Sequence, residues 1–295
     1  MSILTKIRNR TRWLLSYPTH WYYKTFYPKP IVKNIEETLH KIIDDKVSIS
    51  RYGDGELNLM AGRDIPFQVC DPLLTEKLRA VIKTEEVNFI VGLTDIYESL
   101  DKYSEAAKCY FENHIRATRK EWYRFLKFGK TYYSAQITRP YMDWKDKSKS
   151  AWYFQLLKQI WANRKVLIVE GEKSRLGVGN DLFDGCARIE RILCPAENAF
   201  LHYNEILKEV TKADQSTLIL LALGPTATAL SYDIYKLGYQ SLDIGHVDIE
   251  YEWYLMGATK KIAINNKYTN EAANGKNVGD SDDMNYLSQI VARIE

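Results

Sequence analysis

Apolar residues along this chain follow two alternating periods. Ile35, Leu39, Ile42 and Ile43 have helical spacing, and VSIS (Val47 to Ser50) follows as a short strand. A helix over Leu73 to Ile82 precedes the strand VNFIVGL (Val87 to Leu93), and a long helical stretch from Ser104 to Lys127 leads into TYYSAQI (Thr131 to Ile137). Next come a helix over Ala151 to Ala162, the strand KVLIVEG (Lys165 to Gly171), a strand over Arg188 to Leu193 and a helix over Asn198 to Val210. STLILLALG is a fully apolar strand running into PTATALSYDIYKLG, where Pro225 suits a helix start and Gly238 its end. SLDIG (Ser241 to Gly245) is the seventh strand.

Strands alternating with helices predict an α/β fold on a mostly parallel sheet with helices on both faces. Apolar runs such as VLIV and LILLAL lack a polar face, as strands covered on both sides require. Residues 31–295 show no repeat or low-complexity tract and read as a single domain, with residues 1–30 as an arm.

Composition adds little: 45% hydrophobic and 27% charged residues are ordinary for a folded chain and exclude disorder throughout. Charge adds more. Residues 1–30 carry Lys6, Arg8, Arg10, Arg12, Lys24 and Lys29 and no acid. The body therefore sets 35 of the 41 basic residues against all 38 acidic ones, a net of −3 that argues against nucleic acid as a partner. The arm also holds Trp13, Tyr17, Trp21, Tyr22, Tyr23, Phe26 and Tyr27, and Ile3, Leu4, Ile7, Leu14 and Leu15 fall near one helical face. Ser2 to Ser16 is thus expected as a basic amphipathic helix, suited to an anionic membrane surface or to docking on its own domain or a sister subunit. No apolar run approaches the ~18 residues of a membrane span, and Arg8, Arg10 and Arg12 interrupt any signal-peptide core. The expected location is cytoplasmic, peripheral at the inner face of the membrane. Cys70, Cys109, Cys186 and Cys194 form no CxxC pair, which fits reduced thiols acting as small hydrophobes.

In parallel sheets ligands sit beyond the carboxyl ends of the strands, so the residues that follow each strand are the candidates for chemistry. After the first strand, Arg51-Tyr52-Gly53-Asp54-Gly55-Glu56 makes a tight turn. Asp54 and Glu56 are spaced to face one hard cation through oxygen, or they are simply an Asp-Gly turn with a glutamate at a helix start. Arg51 could offset their charge or grip a phosphate. After the third strand, Arg139 sits where a phosphate or sugar would lie. After the fourth, the loop with Ser174, Arg175, Gly177, Val178, Gly179, Asn180 and Asp181 offers backbone N–H groups, a hydroxyl, a guanidinium and a helix cap at Asn180 or Asp181, as a phosphate cradle does. It is neither a Walker A loop nor a dinucleotide fingerprint. Gly224, Thr226 and Thr228 form a second anion-friendly turn, although Thr226 can also just cap its helix. After the seventh strand, His246, Asp248 and Glu250 gather an imidazole and two carboxylates, candidates for acid–base work. His20, His40, His114 and His202 have no such setting and read as structural or exposed. Together the loops predict a cleft for a phosphorylated ligand with a divalent cation.

RYGDGE, EGEKSRLGVGNDLF, LGPTATALSYD and DIGHVDIEYEW as a set resemble the GT-D-type glycosyltransferases, bacterial enzymes first catalogued as a domain of unknown function. The resemblance spans roughly Asp44 to Met256. It implies a Rossmann-like sheet, a UDP-sugar donor (glucose-like), a glycan acceptor in surface polysaccharide or adhesin glycosylation, and Mn²⁺ or Mg²⁺ at an Asp-x-Glu motif that maps onto Asp54 and Glu56. Other readings are a metal-dependent hydrolase of nucleotide sugars or phosphoesters, and a non-catalytic subunit escorting another transferase to the membrane. An oxidoreductase lacks its fingerprint here.

Overall fold

The structure, a computed structural model, describes residues 16–295. The helix expected over Ser2 to Ser16 lies outside the described residues, which begin at Ser16. The chain opens with helix α1 (16–26), then strand β1 (Ile31–Val32), α2 (Ile35–Asp45), β2 (Ser48–Tyr52), α3 (Asp54–Met60) and α4 (Pro72–Val81). β3 (Phe89–Leu93), α5 (Glu105–Phe125), β4 (Thr131–Ser134), α6 (Ser150–Trp161), β5 (Lys165–Gly171) and β6 (Arg188–Cys194) follow. The chain continues through α7 (Tyr203–Val210), β7 (Leu218–Ala222), α8 (Pro225–Lys236), β8 (Ser241–Asp243), α9 (Val247–Leu255), α10 (Met284–Gln289) and β9 (Ile290–Arg293).

The strands form one nine-stranded sheet in the order β1-β4-β3-β2-β8-β7-β5-β6-β9. Every pairing is parallel. The expected α/β architecture with helices on both faces is what the chain adopts. Period-two alternation sorts the strand side chains. Ile219 and Leu221 pack toward α4, α5, α7 and α8, whereas Leu218 and Leu220 pack toward α2, α6 and α9. Trp122 anchors the first layer and Trp161 and Trp253 the second, all fully buried.

Three local expectations fail. TYYSAQI is a strand only to Ser134; Ala135–Thr138 then tighten into a 3₁₀ turn, begun by the Ser134 side chain accepting from the Gln136 N–H. The helix expected from Asn198 begins as a 3₁₀ turn (Ala199–His202) because Asn198 is in the left-handed region, and α7 proper starts at Tyr203. No helix follows the loop after β5, where residues 172–187 run through successive turns, so Asn180 and Asp181 cap nothing helical.

β2 lies between β3 and β8, and the chain builds the sheet outward from it toward β4 before returning to β5 on the other side. That reversal opens a crevice beyond the carboxyl ends of β2, β8 and β7.

Candidate active site

A cleft of about 920 Å³ occupies this crevice, a volume suited to a ligand of nucleotide-sugar size. Its wall takes residues from the ends of β2, β3, β4, β5, β6, β7 and β8, from α5, and from the tail between α9 and α10.

The turn after β2 delivers Asp54 to the first position of α3 and Glu56 to the third. Glu56 reaches back to accept from the Gly53 N–H at 2.7 Å, which fixes the turn. Burial, with Asp243 and Asp54 nearby, pushes the Glu56 carboxyl up to about 7 despite that hydrogen bond. Asp54 is exposed on the cleft and accepts from the Tyr110 hydroxyl of α5 at 2.6 Å. Among the described residues no group of three His, Cys, Asp or Glu side chains is placed to hold a metal ion. The donor set therefore fits a cation that takes one or two carboxylates and completes its shell from water and substrate oxygens, and does not fit an all-protein cage.

The three arginines singled out in the sequence have three different fates. All five N–H donors of Arg51 are taken: Nε by Asp243 O (2.7 Å), one terminal nitrogen by Ala135 O (3.2 Å) and Thr138 Oγ1 (2.6 Å), the other by Asp243 Oδ1 (2.8 Å) and Gly245 O (3.0 Å). Arg51 thus clamps the ends of β2, β4 and β8 together and has no donor left for a phosphate. Arg175 is buried and turned to the tail, donating to Asn266 O (3.0 Å) and Gly279 O, and is absent from the cleft wall. Arg139 lines the cleft; it donates to Glu271 Oε1 at 2.5 Å. Burial works against its charge, but Glu271, Asp143 and Glu250 outweigh that and keep it a cation.

The loop after β5 is a correction to the expected phosphate cradle. Of its residues only Ser174 and Leu176 reach the cleft. The Gly177 N–H and the Asn180 side chain donate to Asp248 Oδ1 (2.9 and 2.8 Å), and Asn180 also donates to Glu252 (2.7 Å). Asp181 pairs with Lys158 and Tyr251, and Val178 and Gly179 lie away from the wall. Gly177 adopts φ +73°, and a Cβ there would sit 2.3 Å from Phe183, so this glycine serves packing. Thr226 and Thr228 are likewise fully buried, donating to Gln68 and to Arg51 O and Asp243. Gly224 does line the cleft, at φ +54° with Phe67 packed so close that a Cβ would lie 2.8 Å from its ring.

The acid–base cluster separates in the same way. Asp248 is 2% exposed and held by Lys267 Nζ at 2.8 and 3.0 Å. Glu250 is fully buried and accepts from the Met142 and Tyr141 N–H groups (2.9 and 3.3 Å), away from the cleft wall. Asp248 thus lines the cleft with its carboxylate held by Lys267, whereas Glu250 is an internal strut. His246 does face the cleft, with Nε2 2.9 Å from Glu271 Oε1. Burial, and then Arg139, lower its pKa, while Glu271 pulls it back up.

Sequence reasoning missed the tail and the α5 wall. Lys260, Lys261, Tyr268, Asn270 and Glu271 all line the cleft. Glu271 meets Arg139, His246 and Lys261; burial alone would raise its pKa, but Arg139 and His246 hold it far below the carboxylate range. Tyr268 OH and Asn270 Oδ1 are buried without a protein partner, so the wall keeps polar capacity for a ligand or water. Tyr110 is stacked on His114, which accepts from the Trp122 indole at 3.2 Å. His114 therefore belongs to the cleft wall after all.

The molecule is thus an α/β protein with a cleft at the carboxyl ends of its parallel strands, lined by Asp54, Glu56 and a facing guanidinium, Arg139. The family model for the glycosyltransferase GT-D fold matches residues 49–272, which reaches past Met256 into the tail that lines the cleft. The chain belongs to this glycosyltransferase family. It is 42% identical over 264 residues to a probable glycosyl transferase, Gly, of Streptococcus gordonii, covering 89% of this chain and 39% of that protein. It is 43% identical over 264 residues to the glycosyltransferase GlyD of Streptococcus pneumoniae serotype 4, covering 89% and 32%. The chain thus spans about two fifths or less of the curated relatives it matches. A solved structure of domain of unknown function 1792, described as having a distinct glycosyltransferase fold, superposes with a TM-score of 0.88 at 40% identity over 94% of this chain and 100% of its own. A glycosyltransferase of the same domain type from Streptococcus sanguinis gives 0.87 at 40% identity over 90% and 100%.

Proposed function

We propose that this enzyme moves a hexose, glucose-like, from a UDP-sugar to a glycan acceptor of surface polysaccharide or adhesin glycosylation, with Mn²⁺ or Mg²⁺ as cofactor. The observation that carries the reading is the pairing across one cleft of an open Asp54, with Glu56 behind it, and the half-buried cation Arg139. A cation bound there would neutralise charge developing on the departing diphosphate. Asp54 and Glu56 would hold it, and the Tyr110 hydroxyl orients the Asp54 carboxylate. Arg139, Lys260 and Ser174 line the cleft and would bind the donor's phosphate and sugar oxygens, with Gly53 and Gly224 letting the ligand approach the backbone.

His246 is our candidate to take the acceptor proton, since it lines the cleft, burial holds its pKa down, and Glu271 at 2.9 Å would stabilise the imidazolium. The competing reading is hydrolysis of the same donor, with water in the acceptor's place. The test is to incubate the protein with radiolabelled UDP-glucose and an acceptor glycan, with and without Mn²⁺ and chelator. Metal-dependent label in the glycan supports transfer. Label released only as free sugar supports the hydrolase, and no turnover of any UDP-sugar in the presence of acceptor would overturn both.

A further inference from the structure

Helix α1 is aromatic on both sides. Its inward residues Tyr23 and the following Tyr27 pack on Tyr123 of α5, with ring centroids 5.7 and 5.8 Å away, and His20 Nδ1 lies 3.4 Å from Ile115 O. That register leaves Tyr17, Trp21, Tyr22 and Phe26 facing outward, 57%, 58%, 48% and 62% exposed. An ordinary surface helix is polar there. The rings are contiguous: Trp21 and Tyr22 each contact Phe26 (5.7 and 5.4 Å), Tyr22 contacts Tyr27 (5.9 Å), and Tyr27 contacts the exposed Phe128 (6.1 Å). An exposed apolar patch of this kind marks a contact surface.

We propose that the outward face of α1 is a docking surface for a bilayer containing anionic phospholipid. Charge selects this occupant: the first 30 residues hold six Lys and Arg and no acid, Lys24 stands exposed on α1 itself, and the Arg116 guanidinium lies 5.7 Å from the Tyr17 ring centroid. The composition agrees, because Trp and Tyr combine an apolar body with a polar tip and settle at headgroup depth. No helix among the described residues is long and apolar enough to cross a membrane, so the contact is peripheral. Its placement matters for the enzyme. α1 grips α5 from Ile115 onward, while Tyr110 and His114 of the same helix line the cleft. Docking therefore holds the cleft beside the bilayer, where an acceptor glycan carried on a membrane lipid would present itself.

The experiment is co-sedimentation of the full chain with phosphatidylcholine vesicles and with vesicles also containing phosphatidylglycerol. It is read without any sugar donor, so its outcome is separate from that of the transfer assay. The expected result is pelleting with the anionic vesicles only, weakened by salt, and reduced about tenfold in a Trp21→Ser/Tyr22→Ser/Phe26→Ser variant with unchanged circular dichroism and melting. The single variant Phe26→Ser, which leaves the rest of the face in place, should give a smaller loss in the same direction. Equal pelleting with both vesicles, or of wild type and triple variant, would overturn the proposal. So would a dimer in sedimentation velocity that the triple variant dissolves, with no vesicle binding, since the face would then serve a second copy of this chain.

Discussion

The turn after β2 and the loop after β5 look alike on paper: glycines, carboxylates and an arginine at the end of a parallel strand. In the fold they do opposite things. The β2 turn presents Asp54 to the cleft, with its carboxylate held by one hydroxyl and otherwise open. The β5 loop turns inward, where Gly177, Asn180 and Lys267 all converge on Asp248. What separates a binding loop from a bracing loop is hydrogen-bonding capacity left over once the protein's own partners are counted. Polar composition at a strand end does not decide it.

Four measurements would break or sharpen that contrast. The largest effect is expected at the brace. Asp248→Ala would take from the buried Lys267 one of its two carboxylate partners, leaving Glu252, and would unpair the Gly177 N–H; it should cost about 3–5 kcal/mol of stability by urea unfolding. Retained stability would dissolve the distinction. Asp54→Ala should do the reverse, lowering transfer on the order of 10²-fold or more while the unfolding midpoint stays put, because the side chain is exposed. Third, Arg139→Ala should lower kcat/KM for the donor by the equivalent of about 1.5–3 kcal/mol, a charge-assisted hydrogen bond, whereas Arg175→Ala should leave the kinetics of folded enzyme near wild type and lower only its melting point. Equal kinetic losses would put Arg175 back into the donor site.

The smallest effect is one of pH. Burial raises the Glu250 carboxyl to about 7, with Arg139 and Lys261 pulling it down and Asp143 pushing it up. The folded state therefore holds a proton that the unfolded chain releases near its ordinary 4.5. The stability that proton lends is complete below about 4.5 and lost as pH rises through about 7. Glu250→Gln should flatten this fall relative to wild type in melts at successive pH values, and leave transfer within a few-fold. A parallel pair of stability curves would show that Glu250 is already ionised.

Much of the sheet was legible because strands such as Leu218–Ala222 are apolar on both sides, and because strands alternate with helical periods; the polar β2, Ser48–Tyr52, was legible by that alternation. β1 and β9 were not. Two residues at Ile31–Val32 carry no period, and Ile290–Arg293 pairs with β6 about a hundred residues away. In the site, Asp54 and Glu56 were legible because two residues of spacing places both in one turn. Arg51 and Arg139 look equivalent in the sequence, and only their long-range partners distinguish them: Asp243, Ala135, Thr138 and Gly245 take every donor of Arg51, whereas Arg139 meets Glu271 through one terminal nitrogen. Glu271 left no trace, because the tail that carries it has neither helical nor strand period.

The tail has a consequence in the order of synthesis. Lys260, Lys261, Tyr268, Asn270 and Glu271 line the cleft on either side of the buried Lys267, whose ion pairs with Asp248 and Glu252 tie this segment to α9 after the ribosome has made both partners. A ribosome has by then released every strand except β9, so the sheet can form while its ligand wall is still missing.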